Sequence, residues 1–227
     1  MRDKVAPKKE VDALLAEGAK RLGVPLSTGR LSALLFYLAE LKRWNEKINL
    51  TGLREDQEIV VKHFLDSLTP LSILDPEEAA TWIDIGTGAG FPGLVLKIAR
   101  PSLRMTLVES VEKKVTFLHH LIGRLALAGV TVVHDRLERL AERGWKGAFD
   151  LLLSRALAPE LILEKGTPLV RSGGKVVLFQ GRAERGAWEG RLRGREGMTL
   201  EAIAPIDLPF SDIRRNLVII KVIGRSA

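Results

Sequence analysis

The stretch that decides the fold is WIDIGTGAGFPG (Trp82–Gly93), answered by LVES (Leu107–Ser110) fourteen residues further on. An apolar run closes on Asp84, and glycines follow at alternate positions: Gly86, Gly88 and Gly90. Pro92 stands where a helix begins, and Leu94, Val95, Leu96 and Ile98 continue as apolar positions. The pattern reads as strand, tight glycine loop, helix. Glycine lacks a Cβ and tolerates positive φ, so such a loop lets backbone pass close to a ligand. Glu109 ends the next apolar run, Met105, Leu107 and Val108. A carboxylate there is placed to accept hydrogen bonds from two vicinal ribose hydroxyls. Loop and acid together predict a nucleoside-cofactor site, with Asp84, Gly86, Gly88, Gly90, Phe91, Glu109 and the following Ser110 and Val111 around it.

The chain contains a literal G-x-G-x-x-G at Gly88, Gly90 and Gly93, the pattern of dinucleotide sites. Its register argues otherwise, because Gly86 already follows the strand directly. A pyrophosphate needs bare helix N-terminal amides. Phe91 and Pro92 occupy that approach, and proline has no N–H to offer. A bulky apolar residue beside the loop suits a cofactor without phosphates, such as S-adenosylmethionine. A nicotinamide oxidoreductase and a glycine turn without ligand are the competing readings.

Outward from the loop, apolar β-like runs occupy 82–85, 104–109, 130–134, 149–153, 175–180, 200–208 and 216–223. Helical stretches are predicted between most of them, over 92–100, 111–127, 136–142 and 159–170. Near-continuous apolar strands alternating with helices predict a parallel sheet covered on both faces. The link between the last two runs is too short for a crossover helix, so they should pair antiparallel. The fold expected is α/β and Rossmann-like: a seven-stranded, mostly parallel sheet with an antiparallel last strand. Its ligands belong beyond the carboxyl ends of the strands. Upstream, residues 10–74 read as helices. Ser27 or Thr28 caps one whose apolar face is Leu31, Leu34, Leu35, Leu38, Leu41 and Trp44. A second stripe, Ile59, Val60, Phe64, Leu65 and Leu68, follows Asp56. The division predicted is a helical extension over 1–80 and a catalytic domain over 81–227.

Of the 227 residues 46% are apolar, ample for a buried core. No apolar run approaches the ~20 residues of a membrane span, and the first residues lack the apolar segment of a signal peptide. No cysteine is present, which removes disulfides, thiolate metal sites and cysteine nucleophiles. A cytoplasmic protein is expected. The net charge of +7 is uneven: residues 1–80 sum to −1 and residues 81–227 to +8. The positive field lies on the half that carries the glycine loop, as expected if a polyanion is brought there. The four histidines form no H-x-x-x-H pair, so no metal site is predicted.

Arg155 lies in FDLLLSRALAP, just past a strand and at the same edge as Gly86. Its charge is permanent, so it is an anchor for a carboxylate, a phosphate or a base edge, not a proton acceptor. The bland alternative is a salt bridge. Leu137 and Glu138 follow the third run and flank the adenine of an adenosine site, or simply start a helix. In WNEKINLTGL, Asn45, Asn49 and Thr51 line a substrate face, or Asn49 and Thr51 cap a turn; composition favours capping. Gln180-Gly181-Arg182 ends a strand, and Arg185, Arg191, Arg193 and Arg195 follow with Trp188 among them. Arginines and an indole so spaced grip phosphates and stack on a base, or form a solvated face offset by Glu184, Glu189 and Glu196.

At WNEKINLT, HFLDSL, DIGTGAGFPG, LVES, KKVTFL, FDLLLSRALA and RRNLVII the chain resembles a known family, the bacterial small-subunit ribosomal RNA guanine-N7 methyltransferases, also called glucose-inhibited division protein B. The resemblance spans roughly Leu41 to Ile220. It implies a class I methyltransferase fold, S-adenosylmethionine as donor, N7 of one guanine in 16S rRNA as acceptor, and 16S rRNA or the small ribosomal subunit as partner. A monomer is expected. It assigns Gly86 and Phe91 to the cofactor loop, Glu109 to the ribose, Leu137 and Glu138 to the adenine, and Arg155 to the active-site edge. Asn49 and His63 gain weight as functional residues, Asn49 beside Arg155 in catalysis and both toward RNA, with Gln180 and Arg215 also on the RNA side. Two departures stand out: many members read lysine-glycine at Gln180-Gly181 and arginine-histidine at Arg215-Asn216. Independently of the family, the absence of cysteine excludes methylation of pyrimidine carbon-5 through a thiolate adduct. The fourth strand ends in SRAL, not in the Asp/Asn-Pro-Pro-aromatic sequence that holds an exocyclic amine. Guanine N7 carries an in-plane lone pair and no proton, so its methylation needs no general base. A non-catalytic RNA-binding protein would need the basic field but not Asp84, the glycines and Glu109.

Overall fold

The computed structural model describes residues 8–76, 80–140 and 143–224. The chain opens with α1 (Lys8–Arg21) and α2 (Thr28–Asn45). Ser27 caps α2, its side chain accepting from the Arg30 amide at 3.4 Å. A third helical run follows without a break: α3 (Asp56–Ile59), a π-helical turn (Val60–Leu65), α4 (Asp66–Leu68) and a 3-10 turn (Thr69–Ser72). The stripes predicted from spacing supply its core contacts, since Leu34, Leu38, Leu41, Ile59, Val60, Phe64, Leu65 and Leu68 are all buried.

The rest alternates strand and helix. The strands are β1 (Thr81–Ile85), β2 (Arg104–Glu109), β3 (Val130–His134), β4 (Phe149–Ser154), β5 (Val170–Gln180), β6 (Met198–Asp207) and β7 (Arg214–Val222). Between them run α5 (Gly93–Ala99), α6 (Glu112–Arg124), α7 (Leu137–Leu140), α8 (Pro159–Leu161) and α9 (Arg185–Leu192). One sheet results, in the order β3-β2-β1-β4-β5-β7-β6. All neighbours from β3 to β5 are parallel, and β7 is antiparallel to both β5 and β6. The chain winds outward from β1 in one direction and from β4 in the other. The crevice between those two strands is therefore the switch point where such sheets bind ligands.

Most element ends shift by one to three residues from the sequence reading, and the larger differences have local reasons. The helix predicted over 159–170 is α8 followed by a π turn (Ile162–Gly166) and a 3-10 turn (Thr167–Leu169). Strand β5 starts at Val170 and not at 175 because Gly173 and Gly174 hide its beginning. Gly173 has φ +80°, and a Cβ on Gly174 would lie 2.6 Å from the Asp150 carbonyl oxygen. The β4–β5 register shifts at this point, between Phe149 and Leu151. The helix predicted over 136–142 is seen as Leu137–Leu140, and residues 141–142 lie outside the described residues. One buried cluster covers one face of the sheet and takes in Leu15, Tyr37 and Phe64 of the extension with Leu94, Leu107, Phe117 and Leu153. A second, around Ile83, Leu152, Ile162 and Trp188, covers the other face.

Candidate active site

The β1–α5 loop is built on Asp84, which is fully buried. Its Oδ2 accepts the Thr87 hydroxyl at 2.6 Å and the Gly93 amide at 2.8 Å, so one carboxylate oxygen ties the start of the loop to its end. Its Oδ1 has no partner among the described residues. Burial pushes the carboxyl up to about 6 despite these bonds. The three alternate glycines all have positive φ: Gly86 +71°, Gly88 +62° and Gly90 +103°. Gly90 has a second constraint, because a Cβ there would meet the Tyr37 hydroxyl at 2.6 Å. At Gly88 the same construction meets nothing within 4 Å, which leaves that face of the loop open.

Glu109 ends β2 beside this loop and is 6% exposed. Its Oε2 accepts the Gly88 amide at 2.9 Å and its Oε1 the Val111 amide at 2.8 Å. The acid thus holds the glycine loop in place, and each oxygen keeps a lone pair for a further donor. Next to it lies a cavity of about 170 Å³ with apolar walls from Ile85, Val108, Leu137, Leu157 and Leu161 and a polar rim from Ser110 and Glu138. Leu137 is buried and Glu138 and Ser110 are exposed, while Val111, 45% exposed, follows Ser110 without lining the cavity. Apolar walls with a few polar rim groups suit a heteroaromatic base. A purine in the slot, a ribose on Glu109 and open backbone at Gly88 form one connected surface. The residues present therefore fit S-adenosylmethionine, and Asp84 Oδ1 is a buried acceptor still in want of a donor.

The extension closes the other side of the loop. The Tyr37 hydroxyl, fully buried on α2, donates to the Ala89 carbonyl at 2.5 Å. The Phe91 ring does not flank the ligand approach, as its position in the sequence suggested. It is 4% exposed and packs near-parallel on Tyr37 (centroids 5.1 Å) and on His63 (4.7 Å). Only its backbone belongs to the loop surface. The reason is the apolar pocket that α2 and the π turn place beneath the loop.

Arg155 leaves the carboxyl end of β4 and reaches under this stack. Its guanidinium lies 5.6 Å from the Phe91 centroid and donates to the Lys62 carbonyl (3.4 Å), to Asp66 Oδ2 (3.3 Å) and to His63 Nδ1 (3.3 Å). A guanidinium only donates, so His63 Nδ1 is an acceptor and Nε2 carries the proton, facing the Thr51 hydroxyl at 2.7 Å. Burial first, and Arg155 second, hold His63 down to about 4, so it is neutral at pH 7. Asp66 is completely buried and takes Arg215 as well, Oδ1 from Nε at 2.7 Å and Oδ2 from Nη2 at 3.0 Å. Arg155 thus lies just past the carboxyl end of β4 and in a salt bridge, the bland alternative that its position allowed. Asp66 and Tyr37 were missed by the sequence reading. For Asp66 the signal is an acid inside the apolar run Phe64-Leu65-Asp66-Ser67-Leu68, which a buried helix tolerates only when the charge is paired.

The remaining candidates are scattered. Asn49 is exposed and caps nothing among the described residues. The turn is held by Asn45, whose Oδ1 accepts the Leu50 and Thr51 amides, and by Thr51, whose hydroxyl oxygen accepts the Leu53 amide at 3.1 Å as the capping reading expected. Gln180 donates to its neighbour's carbonyl, that of Phe179, and the Asn216 side chain holds the Gly181 carbonyl at 2.9 Å. The arginine cluster does not form one patch. Arg182 stands near the carboxyl edge with Arg185, which pairs with Glu189, while Arg191 pairs with Glu160 on α8. Arg195 lines a groove of about 830 Å³ at the opposite, amino-terminal edge of the sheet, with Lys146, Thr167, Met198 and Ile223. Trp188 is 3% exposed in the second core, so its indole is closed to base stacking. Trp188 and Leu192, four apart, simply make the buried stripe of α9. Among the described residues no group of three His, Cys, Asp or Glu side chains is placed to hold a metal. No helix among them is long and apolar enough to cross a membrane.

Solved structures similar to this chain share its fold. A SAM dependent methyltransferase from Aquifex aeolicus superposes with a TM-score of 0.57 at 14% identity, over 82% of this chain and 98% of that one. A mitomycin 7-O-methyltransferase superposes with a TM-score of 0.58 at 16% identity, over 74% of this chain and 56% of that one. Sheet order, glycine loop and acid at the end of β2 define a class I S-adenosylmethionine-dependent methyltransferase. Sequence narrows the class. The family model for rRNA small subunit methyltransferase G matches residues 30–217. The ribosomal RNA small subunit methyltransferase G of Acetivibrio thermocellus is 38% identical over 212 residues, 92% of this chain and 87% of that protein. Its namesake from Bacillus cereus is 37% identical over 203 residues, 88% and 85% of the two chains. The chain belongs to the rRNA small subunit methyltransferase G family.

Proposed function

We propose that this S-adenosylmethionine-dependent methyltransferase modifies N7 of one guanine in 16S rRNA. In this reading residues 81–227 form the catalytic domain, residues 1–80 a helical extension, and the protein acts as a cytoplasmic monomer on 16S rRNA or the small subunit. The observation that carries the choice of acceptor atom is the state of the groups facing Arg155. Both His63 nitrogens are engaged, and Asp66 is held by two arginines. None of these is a free base. An exocyclic amine or a hydroxyl must lose a proton on methylation, whereas guanine N7 offers a lone pair with none to lose.

The bound cofactor supplies an electrophilic methyl group on a sulfonium. The protein's own residues align the partners. Gly86, Gly88 and Gly90 present backbone, Glu109 takes the ribose hydroxyls, and Ser110, Leu137 and Glu138 line the adenine end, beside Val111. Asp84 holds the loop closed through Oδ2. Arg155 and Arg215, steadied by Asp66, present N–H groups at the acceptor edge, where guanine O6 or a flanking phosphate can accept. A fixed positive charge does not favour a base that becomes cationic, so their role is positioning. Alignment of this kind is worth about 7–11 kcal/mol. Asn49, His63, Gln180 and the exposed Arg182 and Arg185 rim that edge toward RNA.

The test is transfer of labelled methyl to small subunits from a strain lacking this methylation, followed by borohydride reduction and aniline cleavage, which cuts RNA at 7-methylguanine. One cut in 16S rRNA is expected. Label on an exocyclic amine or a ribose oxygen, or binding of NADH in place of S-adenosylmethionine, would refute the reading.

A further inference from the structure

The hairpin between β6 and β7 projects from the sheet edge that carries the glycine loop, because β6 runs parallel to β5 and ends there. Its tip is Leu208-Pro209-Phe210-Ser211-Asp212-Ile213. The tip is held: the Leu208 amide donates to Ile213 O at 2.9 Å, the Ser211 hydroxyl to Leu208 O at 3.1 Å, and Leu208 is buried. On this anchored turn Phe210 has φ +63°, one of only two non-glycine residues with positive φ among those described. After a proline in a turn, that conformation is where glycine or asparagine is usual, and a bulky side chain is strained there. The residue nevertheless stays 43% exposed. One cation attends it, Arg21 of α1, 4.5 Å from the centroid. Five residues along the chain, Arg215 reaches Asp66 in the active-site edge.

We propose that Phe210 is a stacking platform for an unpaired base of the RNA substrate, next to the base that is methylated. The inference rests on the RNA reading above. Methylation requires the guanine to leave its stack, which strips a neighbouring base of its partner. An exposed aromatic ring at the same edge restores that contact, and base–aromatic stacking tolerates any sequence. The strain finds its explanation here, since a glycine at this turn would be relaxed but would offer no ring. The cations of the tip are already matched, Arg21 by Glu17, Arg214 by Asp207 and Arg215 by Asp66. The attraction is therefore stacking and not charge. This platform takes the place of Trp188, whose indole lies in the core.

The test compares Phe210→Gly and Phe210→Trp with the unaltered protein on undermethylated small subunits. Phe210→Gly should melt no lower than the parent, bind S-adenosylmethionine equally well, and bind subunits about ten-fold more weakly or worse. Its salt dependence should match the parent's, because no phosphate contact is lost. Phe210→Trp should regain most of the affinity. Subunit binding unchanged in Phe210→Gly would overturn the proposal and leave the ring as a cover for Arg21. A marked fall in melting temperature together with lost cofactor affinity would overturn it too, in favour of a structural role. If the parent protein itself fails to methylate subunits, the RNA reading falls, an outcome visible before any variant is compared.

Discussion

Two arginines share Asp66, and the geometry predicts that they fail in opposite ways. Arg155 is the looser partner: its three polar contacts run from 3.3 to 3.4 Å, beyond the usual hydrogen-bond range. Arg215 makes the tight pair, at 2.7 and 3.0 Å. In Arg155→Ala the buried carboxylate keeps both Arg215 bonds. The fold should lose only about 1–2 kcal/mol, the worth of long hydrogen bonds and of a cation near a ring. In Arg215→Ala, buried Asp66 loses both short bonds and keeps only the 3.3 Å contact with Arg155, so the cost should approach that of a broken buried pair, about 3–5 kcal/mol. Activity should follow the reverse order. Arg155 stands nearest the cofactor loop through Phe91, and a misplacement near 1 Å costs ~100-fold in rate, about 2.7 kcal/mol of transition-state stabilisation. Arg155→Ala is therefore expected to stay folded and lose at least ~100-fold of methyl transfer, and Arg155→Lys to recover only part, for want of the planar fork. Tritium transfer to undermethylated subunits and thermal melts measure the two quantities separately. Near-normal transfer by Arg155→Ala, or a melt lower than that of Arg215→Ala, would refute the reasoning.

The other predictions concern cofactor, RNA and protons. Glu109→Ala releases the Gly88 and Val111 amides and should weaken S-adenosylmethionine binding by about 1.5–3 kcal/mol in calorimetry while the fold survives; unchanged affinity removes Glu109 from the site. Neutralising Arg182 and Arg185 should flatten the salt dependence of RNA binding by about one to two units, and neutralising Arg193 and Arg195, toward the far edge, should leave it alone. A flat response to both pairs would make the whole cluster a solvated face. His63 is held at about 4 in the folded chain, below its ordinary value near 6.5, so the stability it contributes is complete above about pH 6.5 and is lost as pH falls toward 4. Asp84, raised to about 6, acts with the opposite sign over the same range, so the His63 effect is to be read as the difference in melting temperature between parent and His63→Gln from pH 4 to 7. A difference that does not change with pH would show that His63 does not titrate between those limits.

The parts of the site legible in the sequence are those fixed by backbone chemistry. A strand ending on an acid, glycines at alternate positions and a second acid after the next strand admit few conformations, and the structure places Asp84, Gly86, Gly88, Gly90 and Glu109 around one loop. Strand positions were legible because buried parallel strands are continuous apolar runs. Side-chain direction was not. Phe91 looks like a ligand neighbour until α2 and the π turn supply an aromatic pocket on the other side. Trp188 looks like a stacking residue among arginines, yet its spacing to Leu192 already marks the buried face of α9. Asp66 was hidden because its partners lie 89 and 149 residues away, a separation no local pattern encodes.

The extension is part of the site's construction. Tyr37 holds the Ala89 carbonyl and leaves no room for a Cβ at Gly90, so α2 fixes the loop from behind while Glu109 fixes it from in front. The π turn carries His63, α4 opens directly after it on Asp66, and the Lys62 carbonyl of the same turn accepts from Arg155. Such turns within helices recur at functional sites because they free backbone groups that an α-helix would consume. The near-parallel rings of Tyr37, Phe91 and His63 then connect cofactor loop and arginine pair as one packed unit. Rigidity is what the proposed reaction, which has no general base, would require, since its catalysis would lie in placing one lone pair, one methyl carbon and one sulfur in line. An isolated sheet would present Glu109 and the glycines but would lack Tyr37, His63 and Asp66. The helical residues before β1 thus build the side of the loop on which the acceptor is proposed to sit.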